Sequence, residues 1–302
     1  MILHADQDSF DIAIRAASRH FNVSPAIIEK DYYVTLVLCE LAKKVPDLLF
    51  KGGTSLSKCH KIIDRFSEDI DITLDSAHQS QGNRRNLKYT IVEICKDLGL
   101  NLLNESETRS RRDYNCYKID YSARHSFSGL NPQLLVETVF IVKAFPDEVK
   151  KASSMIYDYL KAVGNDAAIA QYALEPFDIR VQTLDRTLVD KVFAACDYML
   201  DNKTERQSRH IYDLSKLLTR VTLDDHLRAL IKEVREERKP GTKCYSAQEG
   251  VSVPKLLRQM VDTDFFKTDY EDSTEKLLSK PVPYEEAIKA VKAIIESGVF
   301  EN

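Results

Sequence analysis

The sequence predicts an α+β protein, with a small mixed sheet and its helices followed by a mainly helical half. Three observations predict it. Short apolar runs with a period of two cluster before residue 146, apolar residues at helical spacing dominate after it, and Gly52 with Gly53 separates the first strand from the helix that follows. The expected division is a core with N-terminal helices over residues 1–145 and a mainly helical domain over 146–302.

Residues 9–44 read as two helices. Phe10, Ile14 and Ala17 recur at helical spacing, Ser24 and Pro25 open the second helix, and Ile28, Tyr32, Leu36 and Cys39 continue one stripe. Residues 48–50 are short and apolar, and Leu56, Cys59, His60 and Ile63 mark a helix beyond the glycines. Ile70, Ile72 and Leu74 then alternate with Asp69, Asp71 and Thr73, the period of a strand with one buried face, so the two aspartates project from the same side. Residues 87–98 read as helix, and residues 114–123 and 133–142 as consecutive strands joined by the turn FSGLNP. The second strand is apolar on both faces except for Glu137, and a carboxylate there needs a partner because an unpaired buried charge is costly. Beyond residue 146 the helical segments are 153–163, 184–200, 210–218, 223–238, 253–261 and 284–298.

A chain of 302 residues with 43% hydrophobic composition can bury a sizeable core. Its formal net charge of −4 argues against coating nucleic acid by bulk charge. Local basic patches exist at Arg109, Arg111, Arg112, Lys118 and Arg124, and again from Arg228 to Lys243, where Glu233, Glu236 and Glu237 interrupt the run and make it a solvated helix face. No apolar run approaches the roughly 20 residues of a membrane-spanning helix, and the N-terminus carries acids where a secretory signal carries a basic flank, so a cytoplasmic protein without membrane attachment is expected. The six cysteines form no C-x-x-C pair and suggest neither a disulfide frame nor a zinc site, and His60 and His210 read as packing or surface residues.

Transfer of a nucleotidyl group needs a cradle for the triphosphate, cations against its charge and an activated acceptor oxygen. Gly52, Gly53, Thr54 and Ser55 at a helix start offer backbone N–H groups and hydroxyls for phosphate oxygens, with Lys51 and Arg65 near enough in sequence to add charge. Asp69 and Asp71 suit magnesium through oxygen, and Glu137 from a neighbouring strand would complete a two-metal site. Each element alone is common. A D-x-D also occurs on ordinary surface strands; the ordered combination carries the reading.

The segments FKGGTSLSK and RFSEDIDI resemble the DNA polymerase beta-like nucleotidyltransferases, and within them the AbiEii toxins of bacterial abortive-infection and toxin–antitoxin systems. IEKDYYVTLVL is similar to the helix preceding the family's first motif, LLVETVF to the strand of the third carboxylate, and LDRTLVDKVFAACDY with RHIYDLSKLL to two late motifs. The interval from Gly53 to Asp69 is longer than in many polymerase beta-like enzymes and fits the AbiEii branch. The resemblance implies a polymerase beta-like fold, two Mg2+ ions, a nucleoside triphosphate (NTP) substrate, transfer RNA as acceptor and a separately encoded antitoxin. It also implies roles for two late residues. Lys191, which by itself reads as a snorkelling lysine at the edge of a helix stripe, would contact the phosphates. Asp213, by itself an exposed helix charge, would complete the site by orienting Lys191 or the acceptor hydroxyl. Transfer to a small molecule or a protein, and NTP sensing without turnover, stay open as alternatives. Ser67, two positions before Asp69, would share the face of the aspartates if the strand already begins there, and a phosphate on it would add about −1.5 to −2 charges beside them.

Overall fold

A computed structural model describes residues 2–127, 130–141 and 143–301. Ser128 and Gly129 of the expected turn and Val142 at the end of the expected strand lie outside the described residues. The chain forms two compact units that interleave in sequence. One comprises Met1–His60, Ser67–Phe140 and Asp147–Val181, the other Lys61–Phe66, Ile141–Pro146 and Gln182–Asn302. This division differs from a single cut after residue 145, because the segment Asp147–Val181 belongs with the sheet.

The first unit opens with α1 (Gln7–Phe21), capped by Asp6, whose carboxylate accepts from the Ser9 N–H, and closed by Asn22 in the left-handed conformation. Helix α2 (Pro25–Lys44) starts on the Ser24 cap with Pro25 in its first turn. Strand β1 (Leu48–Lys51) runs directly into α3 (Gly52–Lys58). That helix is shorter than the sequence predicts: Cys59, His60 and Ile63 lie beyond its end, and Lys61 takes a positive φ of 52°. Then follow β2 (Asp69–Leu74), α4 (Gln81–Asp97) on its Ser80 cap, β3 (Asn101–Leu102), β4 (Tyr114–Asp120), β5 (Leu134–Val139), β6 (Asp147–Ala152), α5 (Met155–Ala162), α6 (Asp166–Tyr172) and β7 (Phe177–Gln182). The strands make one mixed sheet in the order β3-β4-β5-β2-β1-β7-β6.

Register positions the functional face. β2 runs parallel to β5 and antiparallel to β1, while β4 pairs with β5 antiparallel. Phe50, Ile70, Ile72, Leu134, Val136, Tyr117 and Ile119 are buried with the α2 side chains Ile28, Val34 and Leu38 in one apolar cluster. The alternate residues of the same strands turn to the opposite face. Strand β6 was not legible in sequence because DEVKKA is charged and half-exposed, as suits an edge strand.

In the second unit, α7 (Leu184–Leu200) begins on the Thr183 cap and is followed by α8 (Arg209–Leu217), α9 (Asp225–Arg238) and α10 (Val253–Asp262). Helix α7 packs against α8, α9 and α10, and a last helix, Lys289–Ser297, packs against α8 and α10. Leu188, Val192, Phe193, Ile211, Leu214, Leu257, Met260 and Ile294 fill this core. Among the described residues, no helix is long and apolar enough to cross a membrane.

Candidate active site

In the first unit the strand register sets up a transverse row. Lys51 on β1 lies opposite Asp71 on β2, Asp71 opposite Glu137 on β5, and Glu137 opposite Cys116 on β4. Asp69 occupies the next row, opposite Leu135, which in turn faces Lys118. Asp69, Asp71 and Glu137 thus share one sheet face, and all three are half-buried. Among the described residues no group of three or more His, Cys, Asp or Glu side chains is gathered closely enough to hold a metal ion. The donor chemistry of the three carboxylates, anionic oxygen only, is that of a hard divalent cation.

The glycine turn packs on this face. Gly52 has φ +76°, and a Cβ there would lie 1.9 Å from Asp71 Oδ2 and 2.7 Å from its Cγ, so neither the backbone conformation nor the space admits a side chain. Thr54 and Ser55 are buried rather than presented outward: Thr54 Oγ1 donates to Ser67 Oγ at 2.9 Å, and Ser55 Oγ donates to the Gly52 carbonyl at 2.8 Å. Their hydroxyls brace the turn and the approach to β2. Ser67 is half-buried and immediately precedes Glu68, ahead of the first β2 residue.

Two residues that the sequence reading did not single out border the carboxylates. The Tyr114 hydroxyl donates to Glu137 Oε1 at 3.0 Å, and burial together with the Glu137 charge pushes the phenol pKa up, keeping it a donor. Burial, then Glu137 and Asp69, push the Cys116 thiol up to about 11. The alternation of Tyr114, Cys116 and Lys118 along β4 was visible in sequence. Their neighbours across the sheet were not.

The second unit holds the other predicted residues. Asp213 on α8 is fully buried and receives a two-pronged bond from Arg65, with Nε to Oδ1 and Nη2 to Oδ2 both at 2.7 Å, and an ion pair from Lys191 Nζ at 2.6 Å. The sequence, taken without the family resemblance, reads Asp213 as an exposed helix charge. The structure buries it because Arg65 and Lys191 supply two cations. Burial pushes its carboxyl pKa up, but Arg65 and Lys191 outweigh that and hold it well below the usual carboxylate range. Burial, reinforced by Arg65, lowers the pKa of Lys191 against the opposing pull of Asp213. Burial, then the charge of Lys191, hold His210 well below the ordinary histidine value, so its ring is neutral, and it packs against the Tyr198 ring with centroids 5.5 Å apart. With two cations around one carboxylate, the cluster has the sign that suits phosphate.

The charged stretch Glu29, Lys30 and Asp31 on α2 was also passed over, although all three are buried. Its signal was available: three successive charges flanked by the apolar Ala26 to Ile28 and the largely apolar Tyr32 to Cys39 must each find a partner.

Comparison with known proteins gives a family and a fold. The family model "Nucleotidyl transferase AbiEii toxin, Type IV TA system" matches residues 36–296. A solved structure of MenT4, a nucleotidyltransferase toxin from Mycobacterium tuberculosis H37Rv, is similar with a TM-score of 0.51 and 15% sequence identity, covering 93% of this chain and 98% of that one. At that identity the likeness speaks for the fold. No curated protein matches by sequence.

Proposed function

Because the chain belongs to the AbiEii family of nucleotidyltransferase toxins from type IV toxin–antitoxin systems, we propose that it moves a nucleoside monophosphate from an NTP to a hydroxyl of transfer RNA, with Mg2+ held by Asp69, Asp71 and Glu137. The observation that carries this reading is the row in which Lys51, Asp71 and Glu137 lie side by side beneath the Gly52 turn. In the reaction the acceptor oxygen attacks the α-phosphorus, the α–β phosphoanhydride bond breaks, pyrophosphate leaves, and the acceptor proton is released. Bound Mg2+ would neutralise triphosphate charge and favour the ionised acceptor oxygen.

The chain's own groups divide the remaining work. Lys51, in the row of carboxylates, supplies cationic charge for phosphate oxygens. In the second unit Asp213, with Arg65, holds Lys191 in one position. Tyr114 orients Glu137. For the acceptor, exposed Lys118 stands on the same face as the carboxylates, and Arg109, Arg111 and Arg112 are exposed in the approach to β4. Arg124 is committed to Asp11 and Gln7 at 2.8 and 2.6 Å. A family toxin also implies a cognate antitoxin.

Incubation of the protein with each labelled NTP, Mg2+ and total RNA, followed by separation of RNA, protein and small molecules, tests the proposal. Label in the transfer RNA band, falling steeply as salt rises and lost in Asp71→Ala, is the expected result. Label in the protein or small-molecule fraction would replace the acceptor, and no transfer of any nucleotide would overturn the reading.

A further inference from the structure

Glu29, Lys30 and Asp31 on α2 are only 1%, 0% and 6% exposed. Successive helical residues point about 100° apart, so the three charges reach three different segments. Glu29 accepts from the backbone N–H groups of Arg124 and His125, both at 3.0 Å, in the connection that leaves β4. Asp31 accepts from Lys58 Nζ at 2.6 Å, at the end of α3, and from the Met155 N–H at 2.7 Å. Lys30 reaches furthest into the site's framework. Its Nζ donates to Glu68 Oε2 and to the Asn131 carbonyl, both at 2.6 Å, and the Asn131 N–H donates to the same Glu68 oxygen at 3.2 Å. Glu68 immediately precedes Asp69 at the start of β2, and Asn131 lies just ahead of Leu134 at the start of β5.

Strands β2 and β5 are parallel, so no tight hairpin can set their register. A slip of one residue would turn Asp69 and Asp71, or Glu137, onto the buried face. A buried ion pair is a poor source of net stability, since apolar side chains of similar size often serve packing as well. What it adds is direction and distance. The geometry points to Lys30 as a positioning residue: through Glu68 and Asn131 it clamps the entrances of both strands in the register that sets Asp71 level with Glu137. This inference rests on the reading of those carboxylates as metal ligands.

The test replaces both charges with apolar groups, Lys30→Met together with Glu68→Met, and compares three readouts with the native protein. These are melting temperature, Mn2+ binding by electron paramagnetic resonance, and hydrogen exchange of peptides covering β2 and β5. A merely structural pair would leave binding and exchange unchanged once the packing is restored. The expected result is a folded protein with a similar melting temperature, roughly ten- to hundredfold weaker Mn2+ binding and faster exchange confined to β2 and β5. Native Mn2+ affinity with native exchange overturns the inference. Should the double variant fail to fold, Glu68→Asp keeps the charge but shortens the tether by one methylene and is held to the same three readouts. Asp71→Asn serves as the binding control: if the native protein shows no Mn2+ site sensitive to it, the metal reading falls and the exchange measurement alone judges Lys30.

Discussion

Gly52 and Asp71 are in such close contact that a single added carbon on the glycine would sit 1.9 Å from the aspartate's Oδ2. The glycine pair and the D-x-D strand are therefore two halves of one surface. Gly52→Ala should displace the Asp71 carboxylate and also strain a backbone at φ +76°, at a cost of about 1–2 kcal/mol. Gly99 provides the control, since its φ is +68° and nothing lies within 4 Å of a Cβ there. By thermal melting Gly99→Ala should lose the backbone strain alone and Gly52→Ala should lose more, since it also displaces Asp71. Only Gly52→Ala should lose more than about tenfold in turnover, the effect of moving one ligand. Equal turnover in the two would separate Gly52 from the site.

Asp69→Ala, Asp71→Ala and Glu137→Ala should each lower turnover by about a hundredfold or more, because the charge stabilisation attributed to a metal is worth several kcal/mol. Folding should persist, since all three side chains are half-exposed. Tyr114→Phe removes the hydroxyl that holds Glu137 at 3.0 Å and should cost less, roughly tenfold, with a shifted Mg2+ requirement. Mg2+ titrations of steady-state rates distinguish the cases. Near-native rates at limiting Mg2+ in either aspartate variant would end the metal reading.

Asp213→Asn leaves two cations buried around a neutral side chain and should destabilise the fold by about 3–5 kcal/mol. The pH dependence has a definite sign. The folded carboxyl lies below its unfolded value of about 3.9, so its ionised form stabilises the protein above that pH and the contribution is lost as pH falls toward the folded value. The melting-temperature gap between native protein and Asp213→Asn should stay wide from neutral pH down to about 4 and narrow below it. A gap that stays as wide well below pH 4 as at neutrality would mean that Asp213 is not the anion of the cluster.

Ser67 accepts a hydrogen bond from Thr54 Oγ1 at 2.9 Å, tying the glycine-turn helix to the approach of β2. Ser67→Ala gives up one neutral hydrogen bond, about 1 kcal/mol of stability, and should keep most of the activity. Ser67→Glu places an anion close in sequence to Asp69 and Asp71 and should suppress transfer, as a phosphate would. Parallel rate measurements on the two variants decide the matter; equal rates exclude Ser67 as a control point.

The periodicities of the chain were enough to determine the α+β class, the pairing of Asp69 with Asp71 on one strand face, the isolated position of Glu137 and the span of α7, because each depends on residues a few positions apart. Tertiary structure alone decided which strands stand beside one another. The row from Lys51 through Asp71 and Glu137 to Cys116 joins four strands distant in sequence, and local alternation carries no record of register. It also decided the burial of Asp213 and of the α2 charges. A charged side chain goes inside only where partners converge, and those partners, Arg65 for one and Glu68 for another, come from segments that only the completed fold brings near.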